Sequence, residues 1–302
     1  MITASIQPST PAPAWRLDIH PALPLNHRRT RMQAPPPAAS RLHRAAHRAA
    51  ALALFSCTLT AVADPGWDMA GVKLGMSEAE VRAAFTAYDP KGKIGAINSS
   101  FTYNDGVASH RTPAFLNSME IRVTRLAMWT PIKVWFSGPE GPARVIAIAR
   151  NEGNLPNPVT RGQFVQGLLA KYGPPTGLLS GGLPYWEATG KPSCISTQKK
   201  DQPDMGEFPQ VTSGHKTLEQ AVALLEARAQ AGGSYYGPRP TDLRQCGTFM
   251  YYAAVDPVSL YTAGMYDVGA IVATLRARQA WVDKLRAEAV QKRQAQGQAP
   301  RL

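Results

Sequence analysis

Histidine, cysteine and long apolar stretches are scarce in this 302-residue chain. It has six His, and only His110 and His215 lie beyond residue 63. Its three Cys are Cys57, Cys194 and Cys246, none in a CxxC pair. A structural zinc site needs four ligands, which two lone Cys beyond the N-terminal region do not supply. There is no GxxxxGK[ST] and no GxGxxG, so no familiar phosphate cradle is visible. HExxH and an Asp-rich calcium loop are missing too. The acids are thinly spread, and no carboxylate pair stands out for acid–base work. The apolar run from Ala49 to Val62 has 14 residues, short of the ~20 that cross a bilayer core of ~30 Å as a helix. On this reading no catalytic, cofactor-binding or metal-ligating residue is assigned.

The chain does have an excess of positive charge. Lys+Arg number 33 and Asp+Glu 21, a net +12. Residues 1–63 carry seven Arg, no Lys and one acid, Asp18, and so hold +6. The remaining residues hold 26 bases and 20 acids, again +6. Half of the excess therefore sits in about one fifth of the chain, which argues against a nucleic-acid-binding body. Apolar content of 44% is enough for a packed core.

The uneven charge points to export. Arg41, Arg44 and Arg48 precede the Ala49–Val62 run, and Ala61-Val62-Ala63 is a small-x-small cleavage pattern. These features predict a secretory signal peptide cut between Ala63 and Asp64, and hence a periplasmic protein. Met1 and Met32 are both candidate starts. Lipid anchoring at Cys57 is the alternative, because Leu54-Phe55-Ser56-Cys57 loosely matches a lipobox. The remaining Cys194 and Cys246 are expected to form a disulfide in an exported chain, with two free buried thiols as the alternative.

Cap chemistry marks the helices. Ser77 and Glu80 have the spacing of a capping box, with Met76 and Val81 as its hydrophobic staple. Val81, Ala84, Phe85 and Tyr88 then fall on one helical face, and Asp89-Pro90 ends it. Thr160, Gln163, Val159 and Phe164 repeat the construction about 83 residues later, and Gly173-Pro174 ends that helix. The recurrence admits two related tandem modules, against chance repetition of a common motif. A third helix is expected from Leu218, capped at Thr217. A long one runs from about Asp267 to Gln296, with Val268, Ile271, Val272, Leu275, Val282, Leu285 and Ala289 as its stripe and its Arg and Lys mostly elsewhere.

Between the helices, Met119, Ile121 and Val123 alternate with Glu120, Arg122 and Thr124, the pattern of a strand with one wet face. Residues 132–136 and 144–150 read as a hairpin. Further strands are expected at 101–103, 183–187, 248–255 and 258–266, with a loop over 198–214. The fold class is α+β: an antiparallel sheet with packed helices and a long C-terminal helix. The expected divisions are 1–63 (extension and signal peptide), 64–155 (first module), 156–266 (second module with the disulfide) and 267–302 (C-terminal helix and tail).

The stretch Gly71-Val72-Lys73-Leu74-Gly75-Met76-Ser77-Glu78-Ala79-Glu80-Val81 resembles the helix start of small envelope proteins. These are the SmpA/OmlA outer-membrane-assembly lipoproteins and, more broadly, the β-lactamase-inhibitor-like fold. Lys171-Tyr172-Gly173-Pro174-Pro175 is similar to the element that follows the helix in those proteins. The resemblance implies a noncatalytic α+β module used for protein contacts at the envelope. The long C-terminal helix, the Cys pair and the size depart from the single-module lipoproteins.

The expected function is that of an exported noncatalytic protein that binds another envelope protein, without nucleic acid or cofactor. Peripheral membrane contact through the basic C-terminal helix is a further expectation. The tyrosines Tyr235, Tyr236, Tyr251, Tyr252, Tyr261 and Tyr266 are core packing or a partner surface. The alternative function is a periplasmic hydrolase with a site in the Gly177–Gly182 and His215 loops, where Ser180 superficially approaches a nucleophile elbow.

Overall fold

A computed structural model describes residues 66–123, 132–153, 155, 157–179, 183–192, 194, 196–199, 202–204, 217–231 and 242–297. Ala61, Ala63, Asp64 and Cys57 lie outside the described residues, as do Ser180–Gly182, His215, Tyr235 and Tyr236.

In chain order the elements are α1 (Glu78–Tyr88), β1 (Lys93–Ser99), β2 (Thr102–Asn104), β3 (Ser109–Arg111), β4 (Phe115–Arg122), β5 (Ile132–Phe136) and β6 (Val145–Glu152). There follow α2 (Arg161–Tyr172), β7 (Gly177–Leu178), β8 (Pro184–Glu187), β9 (Ser196–Lys199), β10 (Gln202–Asp204) and α3 (Leu218–Ala231). A 3₁₀ turn at Leu243–Gln245, β11 (Thr248–Ala254), β12 (Tyr261–Asp267) and α4 (Val268–Gln296) complete the chain. The class is α+β.

Each of the first three helices starts with a reciprocal cap. Glu80 N donates to Ser77 Oγ at 3.4 Å while Ser77 N donates to Glu80 Oε2 at 2.7 Å. Gln163 N donates to Thr160 Oγ1 and Thr160 N to Gln163 Oε1, at 3.3 and 3.0 Å. Thr217 and Gln220 do the same at 3.2 and 2.9 Å. These bonds satisfy helix-end donors that would otherwise need water. Gly173 stops α2 at φ 77°, a left-handed conformation that favours glycine.

Eight strands form one antiparallel sheet, in the order β1-β4-β5-β6-β12-β11-β8-β7. The join at its centre is non-local: β12 pairs along β6 from Tyr261↔Glu152 to Tyr266↔Ala147. Strands from before and after α2 thus share one ladder. β2 and β3 form a separate hairpin, and β9 and β10 a separate ribbon.

The sheet is covered on both faces. Met119, Ile121, Val134, Phe136, Ile148, Met250 and Met265 pack with Val81 and Phe85 of α1 and Leu168 of α2. Trp135, Ala147, Ala149, Phe249, Tyr251 and Tyr266 pack with Leu218, Ala221, Val222 and Leu225 of α3 and Val268, Ile271 and Val272 of α4. This is why β6 is buried over nearly its whole length instead of alternating. Gly264 on β12 leaves room for two large rings on the second face: a Cβ there would run into Tyr251 and Tyr266.

Cys194 and Cys246 stand at disulfide distance, with Cα atoms 5.7 Å apart. Both are buried in the core on the α3–α4 side. The pair ties the segment after β8 to the start of β11. Gly269 in the first turn of α4 sits against the same corner, where a Cβ would come within 2.7 Å of Arg244 O and 2.8 Å of Cys246 O.

Several local expectations shift. β1 has no strand signature, because Gly95, Ala96, Asn98 and Ser99 are weak strand formers; it forms by pairing with β4. Glu120 is buried, not wet, and accepts from Arg122 Nε at 2.8 Å. β9 and β10 fall in and beside the stretch read as a loop.

Candidate functional site

The β2–β3 hairpin and the outer half of α4 enclose a groove of about 500 Å³. Its walls include Tyr103, Val107, Leu285 and Ala289, and its rim carries Glu288 and Lys292. The hairpin turns at Asn104-Asp105-Gly106, three residue types suited to tight turns. Gly106 takes φ 95°. Asn104 Oδ1 accepts from Gly106 N at 2.6 Å. Asp105 Oδ1 accepts from Val107 N and Ala108 N at 2.9 and 2.8 Å.

Asp105 also latches the turn to α4. Arg293 Nη1 lies 2.9 Å from Asp105 Oδ1 and donates to Asp105 O at 2.8 Å. His110 Nε2 stands 3.2 Å from Asp105 Oδ2 but lacks the alignment of a hydrogen bond. The His110 ring stacks on Tyr103, with centroids 5.3 Å apart. The backbone N–H groups of Ala108 and Val107, then His110 and Arg293, hold the Asp105 carboxyl well below the usual carboxylate range.

The arrangement fastens a hairpin and shapes a cleft. Among the described lining residues the hydroxyl is the Tyr103 phenol. His110 is on β3. Asn104-Asp105-Gly106 was the sequence signal for this turn, but the flanking strands are too short to reveal a hairpin by alternation.

A second polar cluster is closed. Arg150 of β6 lies between the rings of Tyr88 and Tyr261, 5.4 Å from each centroid, and pairs with Glu152. Tyr261 Oη donates to Glu152 Oε2 at 2.8 Å. Burial opposes the Arg150 charge, but Tyr261 and Glu152 hold the guanidinium more firmly protonated than usual. Tyr172 Oη donates to Asp68 O at 2.8 Å, so Tyr252 Oη is the donor in its 2.7 Å contact with Tyr172. Burial, then Tyr172, pushes the Tyr252 phenol above its ordinary value. This cluster binds α1 and α2 to the sheet. Tyr251, Tyr252, Tyr261 and Tyr266 are all buried core residues.

Of the expected hydrolase loops, Gly177 and Leu178 form an edge strand against β8, Leu179 is buried in the core on the α3–α4 side, and Ser180–Gly182 and His215 lie outside the described residues. The basic residues of α4 are largely paired: Arg276 with Glu226 and Asp242, Arg278 with Glu219, Arg286 with Asp283 and Arg293 with Asp105. Arg244, ahead of Arg276, holds the Asp242 carboxyl down to about 2. Among the described residues no three potential ligands gather as a metal site, and no helix is long and apolar enough to cross a membrane. No protein-family model, curated protein or solved structure matches the chain.

Proposed function

We propose that this chain is an exported, noncatalytic protein of the bacterial periplasm that binds another envelope protein through the groove between the β2–β3 hairpin and α4. The groove carries the reading. It is concave and about 500 Å³ in volume, with the apolar side chains of Val107, Leu285 and Ala289 on its walls. Val107, which lines the groove, is 76% exposed, so an apolar side chain is open to a partner there. Glu288 and Lys292 at the rim suit a partner segment that brings an apolar side chain flanked by polar groups. The leader pattern before Asp64, the Cys194–Cys246 pair and the resemblance of residues 71–81 to envelope modules support the cellular setting.

Photo-crosslinking tests the reading. A photoreactive residue at Val107 or at Lys292 of the mature protein should give the same discrete adduct in envelope extract. The same residue at Val255, exposed elsewhere, should not. Adducts independent of position, or none from the folded protein, would overturn the proposal. N-terminal sequencing of the protein recovered from the periplasm should begin at Asp64.

A further inference from the structure

One basic residue of α4 does not follow the pattern of its neighbours. Arg278 lies on the buried stripe between Leu275 and Val282 and is 4% exposed. Its Nη2 donates to Phe136 O at 3.0 Å, and its guanidinium lies 5.0 Å from the Phe115 ring centroid. Its Nε is buried with no partner. The acid that faces it is Glu219, on the first turn of α3. The Nη1–Oε1 distance is 3.5 Å, and the Glu219 side chain is 53% exposed. A guanidinium stays protonated under all ordinary conditions. A buried charge needs a close, desolvated counter-ion to offset the loss of its hydration, and a half-exposed carboxylate at the edge of hydrogen-bond range supplies little of that. Burial is accordingly the leading influence on Arg278 and pulls its pKa below the ordinary guanidinium value.

Beside this cation is a pocket of about 130 Å³. Among the described residues it is lined by Phe101, Leu275 and Val282, with Arg278, Glu219 and Gln279. Gln279 is turned to Asp283, to which its Nε2 donates at 3.1 Å. The pocket therefore offers three apolar side chains and one under-partnered cation. It approaches the ~150 Å³ of a cavity able to hold a benzene-sized molecule. It is separate from the groove at the outer end of α4 and does not depend on that groove's function.

We propose that this pocket binds a small monocarboxylic acid with a compact apolar tail. The carboxylate becomes the counter-ion of Arg278, and the tail fills the space among Phe101, Leu275 and Val282. The guanidinium fork matches a carboxylate, and its partner is desolvated where Glu219 is not. Glu219 competes for the same cation and swings to solvent when the ligand enters. An uncharged isostere would leave the Arg278 charge as poorly compensated as before.

Isothermal titration of the mature protein with 3-methylbutanoate is the test, with 3-methylbutanamide as the uncharged probe. The acid should bind saturably at one site per chain, and the amide at least ten-fold more weakly. Glu219→Gln removes the competing carboxylate and should tighten acid binding at least three-fold. Arg278→Met should abolish it. Val282→Phe fills the pocket but keeps the arginine, and should abolish it as well, so a poorly folded Arg278→Met protein would not decide the matter. No saturable binding of the acid up to about 10 mM would overturn the proposal. So would equal binding of acid and amide, or undiminished binding by a folded Val282→Phe protein.

Discussion

At the scale of single residues, Asp105 governs the groove. Its folded-state pKa is depressed, so its contribution to stability is complete above the ordinary carboxylate value of ~3.9 and is lost as pH falls through the folded value. Asp105→Asn removes the charge that Arg293 and His110 face. Hydrogen exchange at residues 101–112 should be faster in this variant at pH 7. Acidification below about pH 4 should loosen the hairpin in the parent and change the variant little. Glu152 is a second such residue. Its removal leaves the Arg150 charge without its carboxylate between two rings. Glu152→Ala should cost ~3 kcal/mol of unfolding free energy in urea titration. Neither residue could be singled out from sequence. Asp105 lies 188 positions from Arg293, and Glu152 lies 109 from Tyr261. Spacing rules act over three or four residues and do not reach pairs of that separation.

At the scale of elements, caps decide where helices begin. Ser77→Ala and Thr160→Ala each remove the acceptor for an N3 amide. Each should lower stability by about 1 kcal/mol in chemical denaturation, and the two losses should add, because separate helices carry them. These starts were legible in sequence because a capping box is a local device: Ser77-x-x-Glu80 and Thr160-x-x-Gln163 contain both partners. Strands were legible where they alternate or carry β-branched residues, as at Ile132–Phe136. β1 was not, since Lys93–Ser99 owes its conformation to the β4 register. The stripe of α4 was also visible, but its basic residues were expected to lie elsewhere. Arg278 is on the stripe by spacing, three residues after Leu275 and four before Val282, but periodicity does not register that tertiary packing brings Glu219 and Phe136 O to meet it there.

At the scale of the whole molecule, the non-local β6–β12 pairing joins strands before and after α2 into one ladder, and the Cys194–Cys246 pair fastens its far side. The two cysteines are 52 positions apart. Closing a loop of that length stabilises by about 4 kcal/mol on the chain-entropy estimate. Dithiothreitol, or the double Cys194→Ala/Cys246→Ala variant, should therefore lower the urea midpoint strongly and raise its slope, because the unfolded chain without the cross-link exposes more surface. An unchanged midpoint would mean that the thiols are free in the mature protein.

The sequence by itself determined the α+β class and the helix starts, and it offered Cys194 and Cys246 as candidate partners. Each of these is written in local pattern, residue chemistry or simple count. Only the tertiary structure decided that α1 and α2 cover one face of the sheet while α3 and α4 cover the other. Only it set the Asn104-Asp105-Gly106 turn against Arg293, and a buried Arg278 beside an apolar pocket. Those juxtapositions depend on long-range pairing through the sheet. The free energy that creates them comes from burying surface shared by distant segments, and no stretch of sequence contains that surface alone.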